Sequence, residues 1–131
     1  MIIKWVIGAM MVLTSEIANA GCWVVTNLHG YGFYEYNTYD FTKDGFSGKE
    51  FVVNFDKKSP SVTDSLMTYT VLSPTSMVGT YVTNLGLTIQ TWQLSTDGTK
   101  AFMTINRTNS DKILQDGVSA FVGDIKATCE H

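Results

Sequence analysis

The chain has 131 residues, a net charge of −3 and 12% aromatic side chains. That mildly acidic balance excludes the clustered basic footprint that nucleic-acid binding requires. Lys57-Lys58 is the only basic pair, and beside Ser59-Pro60 it reads as a solvated turn.

The first twenty residues follow the order of a secretory signal peptide. Lys4 is the lone positive charge, residues 5–13 run apolar, and Thr14, Ser15 and Glu16 restore polarity. Ala18-Asn19-Ala20 then places small residues at the cleavage site. The apolar run is shorter than the roughly 20 residues needed to span a bilayer. Ala20-Gly21-Cys22 also resembles the end of a lipobox, with Cys22 as the acylated residue. Asn19 stands where that pattern prefers an aliphatic residue, so cleavage after Ala20 ranks first and lipidation second. The reading is a signal peptide over 1–20, one domain over 21–131, and a periplasmic or secreted product with no integral membrane segment after cleavage. Two cysteines, Cys22 and Cys129, bracket that domain. In an oxidising compartment they are expected to bridge. With no CxxC they do not build a zinc site, which normally takes four ligands.

The mature chain is rich in Thr, Val, Tyr and Phe and is punctuated by turn residues, which favours strands. Residues 22–28 open the domain, and 33–41 follow a bend at Gly30-Tyr31-Gly32. Asp44-Gly45 signals a tight hairpin, with 46–55 as its return strand. Phe51, Val53 and Phe55 then share one face at period two. A polar connection over 57–64 leads to a strand at 66–72, where Met67, Tyr69 and Val71 alternate with threonines. Strands at 77–83 and 87–94 follow. Asp97-Gly98 is a second hairpin signal, with 100–107 returning from it. Residues 109–115 read as a loop or one helical turn, and 117–129 as the last strand, with Phe121, Ile125, Ala127 and Cys129 on one face. The expectation is an all-β domain: a single antiparallel barrel or sandwich of about eight strands, meander-like in order.

Chemistry is sparse. His29 reads as a solvated loop residue and His131 is terminal, and no nucleophile elbow is present. Glu35, Asp40 and Glu50 are the carboxylates nearest an aromatic stretch, and a glycoside hydrolase needs two of them about 5–9.5 Å apart. Asp40, Asp44 and Asp56 lack the spacing of a calcium loop. No catalytic residue, metal ligand or cofactor is assigned. Asn106-Arg107-Thr108 matches a glycosylation sequon, read here as chance.

The unusual local feature is the crowding of Tyr31, Phe33, Tyr34, Tyr36, Tyr39, Phe41 and Phe46. Phe33 and Phe41 are expected to face the core, with Tyr31, Tyr34 and Tyr36 outward. Exposed tyrosines offer rigid amphipathic area to a protein or a sugar ring. Tyr31, Tyr34, Tyr36 and Tyr39 are therefore the candidate partner-binding residues.

Residues 23–31, Trp23-Val24-Val25-Thr26-Asn27-Leu28-His29-Gly30-Tyr31, and 119–124, Ser119-Ala120-Phe121-Val122-Gly123-Asp124, resemble segments of small uncharacterised exported proteins of Gram-negative bacteria. The resemblance implies export and a compact β domain, and carries no activity. Ser76-Met77-Val78-Gly79-Thr80-Tyr81 faintly resembles the Ser-Gly-x-x-Tyr loop of periplasmic lysozyme inhibitors. Its spacing departs from theirs, so their inhibitory residues are not carried over. The functional expectation is a non-enzymatic exported binding protein, of inhibitor or immunity type, whose partner is an envelope or secreted protein. The alternatives are a barrel binding a small apolar or glycan ligand and, last, a hydrolase using Glu35 or Glu50.

Overall fold

The structure is a computed structural model that describes residues 21–111 and 113–129. The expected signal peptide over 1–20 and His131 lie outside them. The described chain is all-β, without an α-helix. Its strands are β1 (Cys22–Tyr34), β2 (Phe41–Gly45), β3 (Phe51–Asn54), β4 (Ser61–Val62), β5 (Thr68–Ser73), β6 (Ser76–Val82), β7 (Gly86–Leu94), β8 (Lys100–Asn109) and β9 (Gly117–Thr128). Every pairing is antiparallel. The hydrogen-bonded order is β4-β3-β1-β9-β8-β7-β6-β5, with β2 also on β1. The sheet nearly closes into a barrel, as the meander of short connections predicts.

Alternation sets the inside. Phe51, Val53 and Phe55 are all buried, as their period-two spacing predicts, and so are Tyr69, Met77, Trp92, Leu94, Ala101, Met103 and Phe121. The Asp97-Gly98 signal also holds. Gly98 takes φ 74° and donates its N–H to Ser95 at 3.0 Å, closing the β7–β8 hairpin. A Cys22–Cys129 disulfide joins the outer ends of β1 and β9, with Cα atoms 5.2 Å apart and 107 residues of separation. For a loop of that order the chain-entropy account gives about 4.7 kcal/mol of stabilisation.

Four local features differ from the sequence reading. The expected strand over 33–41 is broken by a 3-10 turn at Glu35–Asn37, and β2 starts only at Phe41. Strand β1 runs unbroken through Gly30-Tyr31-Gly32, where a bend is expected. Asp44-Gly45 is the end of β2 and not a turn, and β3 pairs with β1 instead of returning on β2. The positive-φ glycine of that connection is Gly48, at 74°, so the chain turns later and lays β2 and β3 end to end along one edge of β1. The 57–64 connection contains the short strand β4.

Strand β1 also carries a β-bulge. Its register against β9 slips between Thr26 and His29, and Asn27 takes φ 54°. Asparagine tolerates this left-handed conformation better than most residues. Asp124 holds the bulge, accepting from Asn27 Nδ2 at 3.2 Å and from Lys100 Nζ at 2.6 Å. An extra residue in a period-two strand reverses which side chains point inward. Val25 and Leu28 are therefore both buried, and beyond them Gly30, Gly32 and Tyr34 turn inward while Tyr31 and Phe33 turn outward.

Candidate functional site

The bulge corrects the expected facing of the aromatic cluster. Phe33 and Phe41, expected in the core, are 40% and 65% exposed. Tyr34, expected outward with Tyr36, lies inside. Its ring rests on Gly32 and Gly117, where an added Cβ would stand within 3 Å of it. Its hydroxyl donates to Asp44 Oδ2 at 2.5 Å. Burial first, and then that carboxylate, push the Tyr34 hydroxyl above the ordinary tyrosine pKa. The other three candidate tyrosines are exposed: Tyr31 on β1, and Tyr36 and Tyr39 on the β1–β2 connection.

Register fixes what surrounds them. Across β2, β1, β9 and β8 one outward row reads Phe41, Phe33, Val118 and Asn106. The next reads Lys43, Tyr31, Ala120 and Thr104, and the third places His29, Val122 and Phe102 side by side. Tyr31 and Phe41 stack with ring centroids 4.4 Å apart, and Phe33 meets Phe41 edge-on at 5.7 Å. The centre of this face is apolar, and Lys43, His29, Asn106 and Thr104 bound it. The connection beside it holds two adjacent left-handed residues, Thr38 at φ 58° and Tyr39 at φ 60°. Positive φ is unfavourable for non-glycine residues and most so for a β-branched one, at a cost of about 1–3 kcal/mol each. Asn37 in the same turn donates to Thr42 Oγ1 and leaves its own buried Oδ1 without a partner among the described residues.

The inward side chains form a second candidate site. A cavity of about 380 Å³ opens where residues 62–67 and β3 face the inner side of β7 and β8. Phe51, Trp92 and Met103 line its apolar depth, and Thr88, Gln90 and Arg107 line it nearer the mouth. A recess of about 230 Å³ shares Phe46, Ile105 and Arg107 with it and adds Tyr34, Asp44 and Ser119. Most of these polar groups satisfy one another. Gln90 Oε1 accepts from Tyr69 Oη at 2.6 Å and from Trp92 Nε1 at 2.7 Å. Tyr69 lies against Gly79 much as Tyr34 lies on Gly32, and desolvation raises its pKa too.

The remaining candidates do not assemble. His29 is exposed, and its Nδ1 meets the Asn27 carbonyl at 2.7 Å. Glu50 is ion-paired with Lys126 at 2.6 Å. It precedes Phe51, which pairs with Val25, whereas Glu35 follows Tyr34 at the far end of β1. That length of strand is on the order of 30 Å, so Glu35 and Glu50 do not make a hydrolytic pair. Among the described residues no group of three or more His, Cys, Asp or Glu side chains is placed to hold a metal ion.

Sequence reasoning missed Arg107, which it met only inside a sequon, and it misplaced Tyr34. The available signal was Gly30-x-Gly32-x-Tyr34, two glycines at strand period beside a tyrosine that needs room. No family model, no curated protein and no solved structure matches this chain.

Proposed function

We propose that the chain is an exported, non-enzymatic binding protein of inhibitor or immunity type. It acts on an envelope or secreted protein through the outward face of β2, β1, β9 and β8. The observation that carries this reading is the Tyr31–Phe33–Phe41 cluster, stacked in place on a sheet and exposed. An apolar centre inside a polar rim is the anatomy of a protein interface, and aromatic anchors dominate such interfaces. Tyr39 adds exposed aromatic surface on a connection held in a costly conformation, a property that clusters at functional sites, while Tyr36 stacks on the inward Tyr34 with ring centroids 5.7 Å apart. The disulfide fits an oxidising compartment.

The test is capture of a partner from envelope extract, with the same partner then titrated against two variants. Tyr31→Ala/Phe41→Ala is expected to weaken binding by about 30-fold or more, the scale of losing a hot spot. Leu72→Ala, on β5 away from the face, is expected to leave it unchanged. Equal binding by both variants removes the face as the site. Intact mass addresses export: the expected species starts at Gly21 and carries the disulfide, and an acylated Cys22 overturns ordinary cleavage.

A further inference from the structure

We propose that the open mouth of the barrel is a binding site for a single-chain amphiphile with an anionic head, of the medium-chain carboxylate class, seated with its tail against Phe46, Met67 and Ile105 and its head at Arg107. The proposal is independent of the outer face.

Shape and lining come first. The cavity of about 380 Å³ lies within the range of small-molecule sites, roughly 300–1,000 Å³. Phe51, Trp92 and Met103 beneath it are buried, and the half-buried Phe46, Met67 and Ile105 offer apolar surface for a tail to cover. The entrance is apolar as well. Leu66 is 84% exposed, and Tyr81 and Leu114, which also line the cavity, are exposed too. Exposed large apolar side chains gathered at the opening of a cavity mark a route for an apolar ligand.

Charge decides the head group. Arg107 is half-buried on the inner wall, and its Nε donates to Thr88 Oγ1 at 3.3 Å. A guanidinium carries five donors, and no carboxylate of the described residues lies within ion-pair distance of this one. The acid in the adjoining recess is already engaged: Asp44 Oδ2 accepts from Tyr34 and Oδ1 from the Gly45 N–H at 2.7 Å. The other charges lining the cavity are Lys49 and Asp64. The lining of the cavity itself therefore carries two cations, Arg107 and Lys49, against one carboxylate, Asp64. A partly desolvated cation without a counter-ion favours an anion, and the planar fork of arginine fits a carboxylate. A sugar fits less well. It needs several free hydrogen-bonding groups, whereas the Gln90 Oε1 and the Tyr69 hydroxyl are already engaged by each other, by Trp92 and by Ser65.

The purified protein is titrated calorimetrically with three ligands sharing one chain length: decanoate, decanol and decyltrimethylammonium, all below micellar concentrations. The expected order is decanoate tightest, decanol weaker and the cation weakest. Arg107→Gln, which keeps a polar side chain, is expected to weaken decanoate by about tenfold or more, the loss of one charged hydrogen-bonding partner. It should leave decanol unchanged. Decanol also serves as the control that the variant remains folded. Failure of the wild-type protein to bind decanoate overturns the site. Equal affinity for the anion and the cation, or an Arg107→Gln variant that binds decanoate as well as the wild type, overturns the role of Arg107. Retained partner capture by decanoate-saturated protein separates this site from the outer face.

Discussion

The same strands build two different interiors. At the disulfide end, β1, β3, β6, β7 and β8 point Val25, Val53, Met77, Leu94 and Ala101 inward, and they pack without polar atoms. Further along, β1, β7, β8 and β9 point Tyr34, Thr88, Arg107 and Ser119 into space that side chains do not fill. The first region is held by close packing and a covalent bond. The second is held by hydrogen bonds, Tyr34 to Asp44 and Tyr69 to Gln90. The difference teaches where stability and recognition have been separated. A residue lost from the packed end costs folding, and a residue lost from the mouth costs shape and affinity.

Three measurements break or sharpen that contrast. Trp92→Ala removes the floor shared by the two regions and the donor to Gln90, and should destabilise by about 3–5 kcal/mol in urea unfolding. A loss below about 1 kcal/mol would show that the floor is not packed as described. Replacing both Cys22 and Cys129 by Ser should cost about 2–5 kcal/mol. The outward aromatic face should survive that loss in folded protein, since its register is held by β1, β2, β8 and β9.

The smallest effect belongs to the mouth. Tyr34→Phe should cost about 1 kcal/mol, and pH separates it from the other end. The Tyr34 pKa is raised in the fold, so its contribution is complete below the ordinary tyrosine value and is lost as pH climbs through the higher folded one. Asp97, in the β7–β8 hairpin at the packed end, behaves oppositely. The Thr99 N–H and hydroxyl and then the Ser95 hydroxyl lower its pKa from 3.8 to about 2. Its contribution is complete above 3.8 and is lost as pH falls toward about 2. Melting curves of Tyr34→Phe should therefore converge on wild type only in alkali, and those of Asp97→Asn only in acid. Convergence of either variant on the opposite side breaks the assignment.

Much of the fold was legible because it rests on local rules. Period-two spacing located Phe51, Val53 and Phe55, Gly98 located a hairpin, and two lone cysteines located a clasp. The aromatic cluster was not legible, because its facing depends on one inserted residue. Asn27 tolerates a left-handed backbone, but nothing nearby requires one, and its anchor Asp124 lies 97 residues away. Asp44-Gly45 has the composition of a turn, yet the Asp44 side chain is held by Tyr34 and the turn passes to Gly48. Arg107 differs in kind. Alternation along β8 places it beside Ala101, Met103 and Ile105 on the inner face, but only the open mouth makes a charged residue tolerable there.

The central position of β1 bears on how the chain folds. It is the first of the described strands to be made, and its longest pairing is with β9, the last of them. Contacts between such distant segments form slowly, because the loop between them must close first. Strands β5 to β8 can zip as hairpins while synthesis continues, whereas closure of the barrel waits for β9. A chain wired in this way postpones its own closure, and so remains threadable through a narrow pore until β9 has emerged.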